Sequence, residues 1–265
     1  MVVIYELTEL EDLRALVRIF AEIWGRPGEP PVDSDVLRAL VLSGNYVAGA
    51  SVDGRLVGGL IGWLGGPPPD HLHLHSHILG VQADSQVRGL GFELKQHQRT
   101  WCLDRGVKTI EWTFDPLVRR NAYFNLNKLG AEAGAYLINL YGEMADGINS
   151  GEESDRILID WRLDSPKAVA AAAGRPVEPP TDDLQQARAD SLLSIGVGGE
   201  PMPGTSTSRV VICQVPDDIV AMRRSDPQLA RAWRMAVRNA MKPAVDAGYR
   251  ITGVTRTGWF VFEHG

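Results

Sequence analysis

The chain has 265 residues, 44% of them hydrophobic and 23% charged, and a net charge of −6. That length supplies one large or two small cored domains, and the acidic balance gives no general attraction to nucleic acid or to an anionic membrane surface. No apolar run reaches the length of a membrane span. Two distant cysteines, Cys102 and Cys213, fit a reducing compartment, and the opening MVVIYELTEL lacks a basic region and a long apolar core, so a cytoplasmic location is expected.

In chain order, Val2 to Leu7 reads as a first strand. Thr8 and Glu11 have the spacing of a capping box before a helix whose apolar positions are Leu10, Leu13, Val17, Phe20 and Trp24. Residues 25–31 break it, and Asp33 or Ser34 opens a second helix. Tyr46–Val52 and Leu56–Leu64 are strands joined by the hairpin pair Asp53-Gly54. Leu72–Val81 is the next strand. His71, His73, His75 and His77 alternate along it, so period-two geometry puts them on one side. A glycine-containing loop and a helix to Arg105 follow, with Leu90, Leu94, His97 and Trp101 on one face. Then come a strand at Thr109–Phe114, a helix from Arg119 to Leu129 closed by Gly130, and strands at Glu132–Tyr141 and Arg156–Leu163.

Residues 166–204 are rich in Ala, Pro and Gly and are expected to be linker or surface wrap. Residues 205–265 supply a β-α-β extension: a strand at Val210–Val215, a helix opened by Asp226-Pro227 and closed by Gly248, and closing strands at Tyr249–Val254 and Trp259–Phe262. So small a unit cannot bury its apolar face alone. It must pack on the preceding domain or on a partner subunit, as in a homodimer.

The strongest chemical signal is the step from strand to loop to helix around Gly89. The first amides of a helix have no partner inside it and carry the positive end of its dipole, which makes an anion site. Glycines at 89 and 91 remove the Cβ atoms that would hold a phosphate off the backbone, and Arg88 adds positive charge. No Gly-Lys-Ser/Thr follows, which excludes a P-loop. Leu94 stands where a dinucleotide fingerprint needs its third glycine.

Gln86-Val87-Arg88-Gly89-Leu90-Gly91 resembles the acyl-CoA signature of the GNAT N-acyltransferase superfamily, Gln/Arg-x-x-Gly-x-Gly/Ala. The resemblance covers roughly residues 1–165. It implies an α/β (α+β) fold, with a mixed, mostly antiparallel central sheet flanked by helices. It implies acetyl-CoA or another acyl-CoA as co-substrate and no metal. By the same resemblance, amides near Leu79, Gly80 and Val81 meet the thioester carbonyl, and Asn121 and Asn125 touch the pantetheine arm. His75 falls where histone-acetylating relatives carry their catalytic glutamate; an imidazole titrating near neutrality would suit a base there. His77 is the alternate. Both are equally readable as strand-surface histidines. Two His at this spacing also suit zinc, but no acid or cysteine set completes a site.

The family's usual general-acid tyrosine, four residues before Gly130, is replaced by Leu126. Tyr123 and Tyr141 are candidate replacements, or the thiolate leaves unaided. Arg119 and Arg120 suit an acceptor carboxylate or a solvated face. Arg231, Arg234, Arg238 and Lys242 line one helix face, which nearby acids would balance. The function expected is an N-acyltransferase moving an acetyl or succinyl group to the primary amine of a small molecule, such as an amino acid, by direct attack. The alternative is a non-catalytic acyl-CoA sensor with the same fold.

Overall fold

The computed structural model describes residues 1–24, 30–68, 71–85, 87–143, 152–179 and 190–264. The chain divides into two compact units, Met1–Trp112 and Thr113–Gly265.

The first unit runs β1 (Val2–Glu6), α1 (Leu10–Ile23), α2 (Ser34–Leu42), β2 (Tyr46–Val52), β3 (Arg55–Gly65), β4 (His73–Val81), a 3₁₀ turn (Ala83–Ser85), α3 (Leu90–Asp104) and the start of β5 (Thr109–Phe114). The strands lie in sequence order. All pairs are antiparallel except β4 with β5, which pair in parallel at Leu74–Ile110 and His75–Glu111. Asp53 and Gly54 turn the β2–β3 hairpin with φ of 50° and 81°. Leu13, Leu16 and Phe20 of α1 form a core with Leu37, Val47, Ile61 and Ile78. The expected capping box is not formed: Glu9 is the N-cap residue and makes no side-chain cap bond, while the Thr8 carbonyl accepts from Arg38 Nη1 at 2.6 Å.

Glycines show which helix covers which face. A Cβ on Gly59 would lie 2.5 Å from Leu16 of α1, whereas one on Gly62 would lie 3.2 Å from Gln98 of α3. Residues an odd number apart on a strand face opposite sides, so α1 and α3 cover opposite faces of β3. On β4 the parity is broken. Ser76 bonds to Lys95 of α3, yet a Cβ on Gly80 would lie 2.8 Å from Ile23 of α1. The cause is a bulge. Pairing with β3 slips between Ile61–Ile78 and Gly62–Ser76, leaving His77 as the extra residue and inverting every side chain beyond it. Gly80 itself is a site of close approach, since α1 packs against it.

The second unit contains α4 (Arg119–Tyr123), a π turn (Phe124–Lys128), β6 (Glu132–Leu137), β7 (Arg156–Arg162), α5 (Pro166–Ala172), β8 (Ser191–Ile195), β9 (Pro201–Pro203), β10 (Val210–Gln214), α6 (Ile219–Ser225), α7 (Pro227–Asp246), β11 (Tyr249–Val254) and β12 (Trp259–His264). Its strand order is β7-β6-β11-β12-β10-β8-β9, and among the pairs seen only β10–β8 is parallel. The C-terminal extension packs on its own chain. Ile251 of β11 pairs with Ala133 of β6, and the Asn127 amide donates to Val254 O at 2.9 Å and accepts from Val254 N at 3.1 Å.

Three expectations shift here. The stretch 166–204, expected as linker, carries α5, β8 and β9; Ser165 caps α5 by accepting from Ala168 N, and Pro166 fills its first turn. The helix from Arg119 is α-helical only to Tyr123 before widening into the π turn. β6 stops at Leu137, short of Tyr141, because Asn139 turns the chain with φ 46° and its N–H bonds to Asp155 Oδ1 at 3.0 Å.

Candidate functional site

The loop before α3 has the properties of an anion site. Gly89 is the N-cap residue with φ 90°, a left-handed conformation that favours glycine, and no side chain caps the helix. Phe92 N and Glu93 N fold back onto Gly89 O, but the N–H groups of Gly89, Leu90 and Gly91 have no acceptor among the described residues. A Cβ on Gly89 would meet nothing within 4 Å, and one on Gly91 only Leu79, at 3.7 Å. Arg88 is exposed and makes no ion pair among the described residues. Val87 is half-buried. Gln86, the first residue of the signature, lies outside the described residues. Leu79 and Val81 are half-buried and Gly80 is buried on β4, whose pairing with β5 stops at His75 within the first unit.

His75 and His77 share the side of β4 that bears Trp63. Their ring centroids are 5.7 Å apart, and Trp63 lies 5.0 Å from His75 and 4.8 Å from His77. Burial, then the neighbouring His77, His73 and Lys95, push the His75 pKa down to about 4. The neutral-range titration expected for His75 is thus corrected: it is an uncharged imidazole throughout the physiological range. His77 keeps an exposed edge, and desolvation of the rest of its ring lowers its pKa also. His73 lies 3.6 Å from Glu111. Among the described residues, no group of three or more His, Cys, Asp or Glu is placed to hold a metal ion.

Sequence reasoning missed Lys95. It is 3% exposed, and its ammonium nitrogen donates to Ser76 Oγ at 2.7 Å and Gln98 Oε1 at 3.3 Å and sits 3.8 Å from the Trp112 ring centroid. Burial lowers its pKa to about 7. The only signal available was its position beside Leu94 on the helix.

In the second unit, Asn125 sits in the π turn, 4% exposed, and its side-chain amide has no partner among the described residues. Asn121 is exposed on α4. Such π turns are frequent at functional sites. Leu126 is fully buried. The Tyr123 hydroxyl donates to Glu178, and burial together with that bond raises its pKa. A phenol whose proton is held this way is a poorer acid. Tyr141 is exposed, and its hydroxyl lies 3.1 Å from Thr113 Oγ1. Arg119 pairs with Asp217, while Arg120 is exposed. Three of the four basic residues on this face of α7 are answered by acids of the same chain, while Arg231 is exposed. Arg234, joined by Arg223 of α6, grips the buried Asp115; Arg238 binds Asp155; Lys242 binds Asp246.

Residues 13–130 match the model of the Acetyltransferase (GNAT) family. In fold the chain is similar to an N-acetyltransferase from Staphylococcus aureus Mu50, at 15% identity and TM-score 0.51, over 62% of this chain and 99% of that one. It is also similar to a GNAT-family acetyltransferase from Streptococcus pneumoniae, at 13% identity and TM-score 0.50, over 60% and 98%. The ribosomal-protein-S18-alanine N-acetyltransferase of Escherichia coli aligns at 19% identity and TM-score 0.49, over 62% and 96%. No curated protein matches the chain significantly. Over about 60% of its length the chain shares the fold of the Staphylococcus aureus and Streptococcus pneumoniae proteins. The family likeness rests on residues 13–130 and the likeness in fold on about 60% of the chain.

Proposed function

We propose that this chain is an acyl-CoA-dependent N-acyltransferase that moves an acetyl or succinyl group to the primary amine of a small molecule such as an amino acid. The observation that carries it is the set of main-chain N–H groups at Gly89, Leu90 and Gly91, which have no acceptor among the described residues, beside Arg88, which has no ion pair among them. A diphosphate satisfies such donors with no side-chain rearrangement. The buried, unpartnered amide of Asn125 suits a pantetheine amide, with Asn121 near the start of the same helix. Main-chain amides of Leu79, Gly80 and Val81 are assigned to the thioester carbonyl by the family resemblance.

His75 is the base, with His77 as alternate. Being neutral at pH 7, it can accept the proton that the amine nitrogen sheds as it attacks, and its lowered pKa makes it a weaker base than a free imidazole. The amine nitrogen forms the C–N bond to the thioester carbon, its proton passes to the imidazole, the C–S bond breaks, and sulfur leaves with the electron pair. No acyl-enzyme is needed. Cys102 and Cys213 are both fully buried, and burial raises both thiol pKa values, that of Cys102 to about 12, so neither offers a thiolate. With Tyr123 bound to Glu178, Tyr141 is the candidate acid, or the thiolate leaves unaided.

Fully buried Leu126 and the engaged Tyr123 favour one second reading, a sensor that holds acyl-CoA without transfer. Single-turnover mixing with acetyl-CoA and succinyl-CoA across an amine panel separates the two. Amine-dependent thiol release supports the transferase. Tight binding without release supports the sensor.

A further inference from the structure

A groove of about 750 Å³ opens in the second unit, lined by α7, the segment 204–209 and the ends of β11 and β12. Its floor is apolar: Val211 and Ala244 are buried, Leu192 and Ala240 half-buried. Its rim carries Thr205, Thr207, Arg209 and Asn239, whose side chains make no hydrogen bond or ion pair among the described residues. At one end Tyr249 and His264 meet edge to face at 5.0 Å. Tyr249 OH donates to Ser208 O at 2.6 Å, and His264 Nε2 lies 3.0 Å from Ala247 O. Ser206 Oγ donates to Asp190 at 3.1 Å. Those polar groups are taken; the rim donors are not.

Charge decides the class of ligand. The chain is acidic overall, at −6, yet no Asp or Glu is among the described lining residues and the guanidinium of Arg209 is. A guanidinium pairs with a carboxylate through two parallel N–H bonds. The α7 residues that line the groove, Asn239 to Ala244, and the C-cap residue Ala247 are at its C-terminal end, where the helix dipole is negative and disfavours a second negative charge. We propose that the groove is a binding site for a small monocarboxylate with an apolar body. The carboxylate lies on Arg209, with Asn239 and the threonine hydroxyls as further donors. The hydrocarbon covers Leu192, Val211, Ala240 and Ala244.

Isothermal titration of the full chain with octanoate, octanol and octylamine tests this. Octanoate binds at one saturable site, and octanol and octylamine bind at least about tenfold more weakly, the worth of one charge-assisted contact. Arg209→Gln, on an exposed side chain, weakens octanoate about tenfold, and Ala240→Trp, which fills the groove, abolishes it. Added CoA leaves octanoate affinity unchanged. The proposal is overturned if octylamine or octanol matches octanoate, if Arg209→Gln binds within twofold of the parent, or if CoA displaces octanoate. None of these outcomes depends on whether the chain transfers acyl groups.

Discussion

The ammonium of Lys95 is hydrogen-bonded to Ser76 Oγ at 2.7 Å in the interior of the first unit, and no carboxylate is among its partners there. Ser76 stands between His75 and the bulged His77, so this contact pins the stretch of β4 that carries the candidate base. A buried cation with only neutral partners is costly, and the cost falls when the proton leaves.

Lys95 therefore makes stability rise with pH. Its folded pKa is about 7, against 10.5 for an ordinary lysine. Between those values the unfolded chain binds a proton that the folded chain does not, so the stabilisation from deprotonation grows from about pH 7 toward pH 10, by at most ~1.4 kcal/mol per pH unit. Lys95→Met removes that slope and is more stable than the parent at pH 7. Urea unfolding of both at pH 7, 8 and 9 checks it; parallel pH dependences would contradict it.

Asp115 is held by three guanidinium hydrogen bonds: Arg234 Nη1 to Oδ1 at 2.9 Å, Arg234 Nη2 to Oδ2 at 2.7 Å and Arg223 Nη2 to Oδ2 at 2.6 Å. Burial alone would raise its pKa, but the Arg234 charge and hydrogen bonds, helped by Arg223, hold it well below the carboxylate range. Arg234→Met leaves Asp115 buried beside one remaining guanidinium and costs about 3 kcal/mol or more in chemical denaturation. The sign for acid follows. With the folded pKa depressed, the stabilisation is complete above about pH 4 and is lost as pH falls through the lowered value.

His75→Gln should lower amine-dependent turnover by about 10² to 10⁴, the range for removing a general base. Because the His75 pKa lies at about 4, its neutral form persists above pH 5, and kcat/KM should show no acid limb from it between pH 6 and 8. A pH–rate profile with an acid limb near 6.5 that vanishes in His75→Gln would contradict the burial argument.

Tyr123→Phe should leave turnover within about twofold, because the Tyr123 proton is already directed at Glu178. Tyr141→Phe is the informative variant for acid assistance. A large fall in turnover for Tyr123→Phe, with the unfolding midpoint unchanged, would reinstate it as the acid.

What was legible in the sequence is what local backbone physics dictates. Asp53-Gly54, Gly89, Gly130 and Gly248 all take the positive φ that their turn or helix-end positions require. Asp226 caps α7 by accepting from Leu229 N at 3.0 Å, as an Asp-Pro pair suggests. The Ser165-Pro166 start of α5 carried the same kind of signal but was hidden by the surrounding Ala, Pro and Gly. Contacts across long stretches of chain were not legible. Asp115 and Arg234 are 119 residues apart, and Asn127 and Val254 are 127 apart. A helix-face pattern predicts a buried side but not which acid meets it. The bulge at His77 was equally hidden, since alternation of histidines reads the same with or without a register slip.

Titration of CoA into the parent chain and into Gly89→Glu, at matched folded fraction, tests the central claim most directly. One saturable site in the parent, lost in Gly89→Glu, is the predicted result, because the new carboxylate would face the donors of Gly89, Leu90 and Gly91. No heat in the parent, or undiminished affinity in the variant, would contradict it.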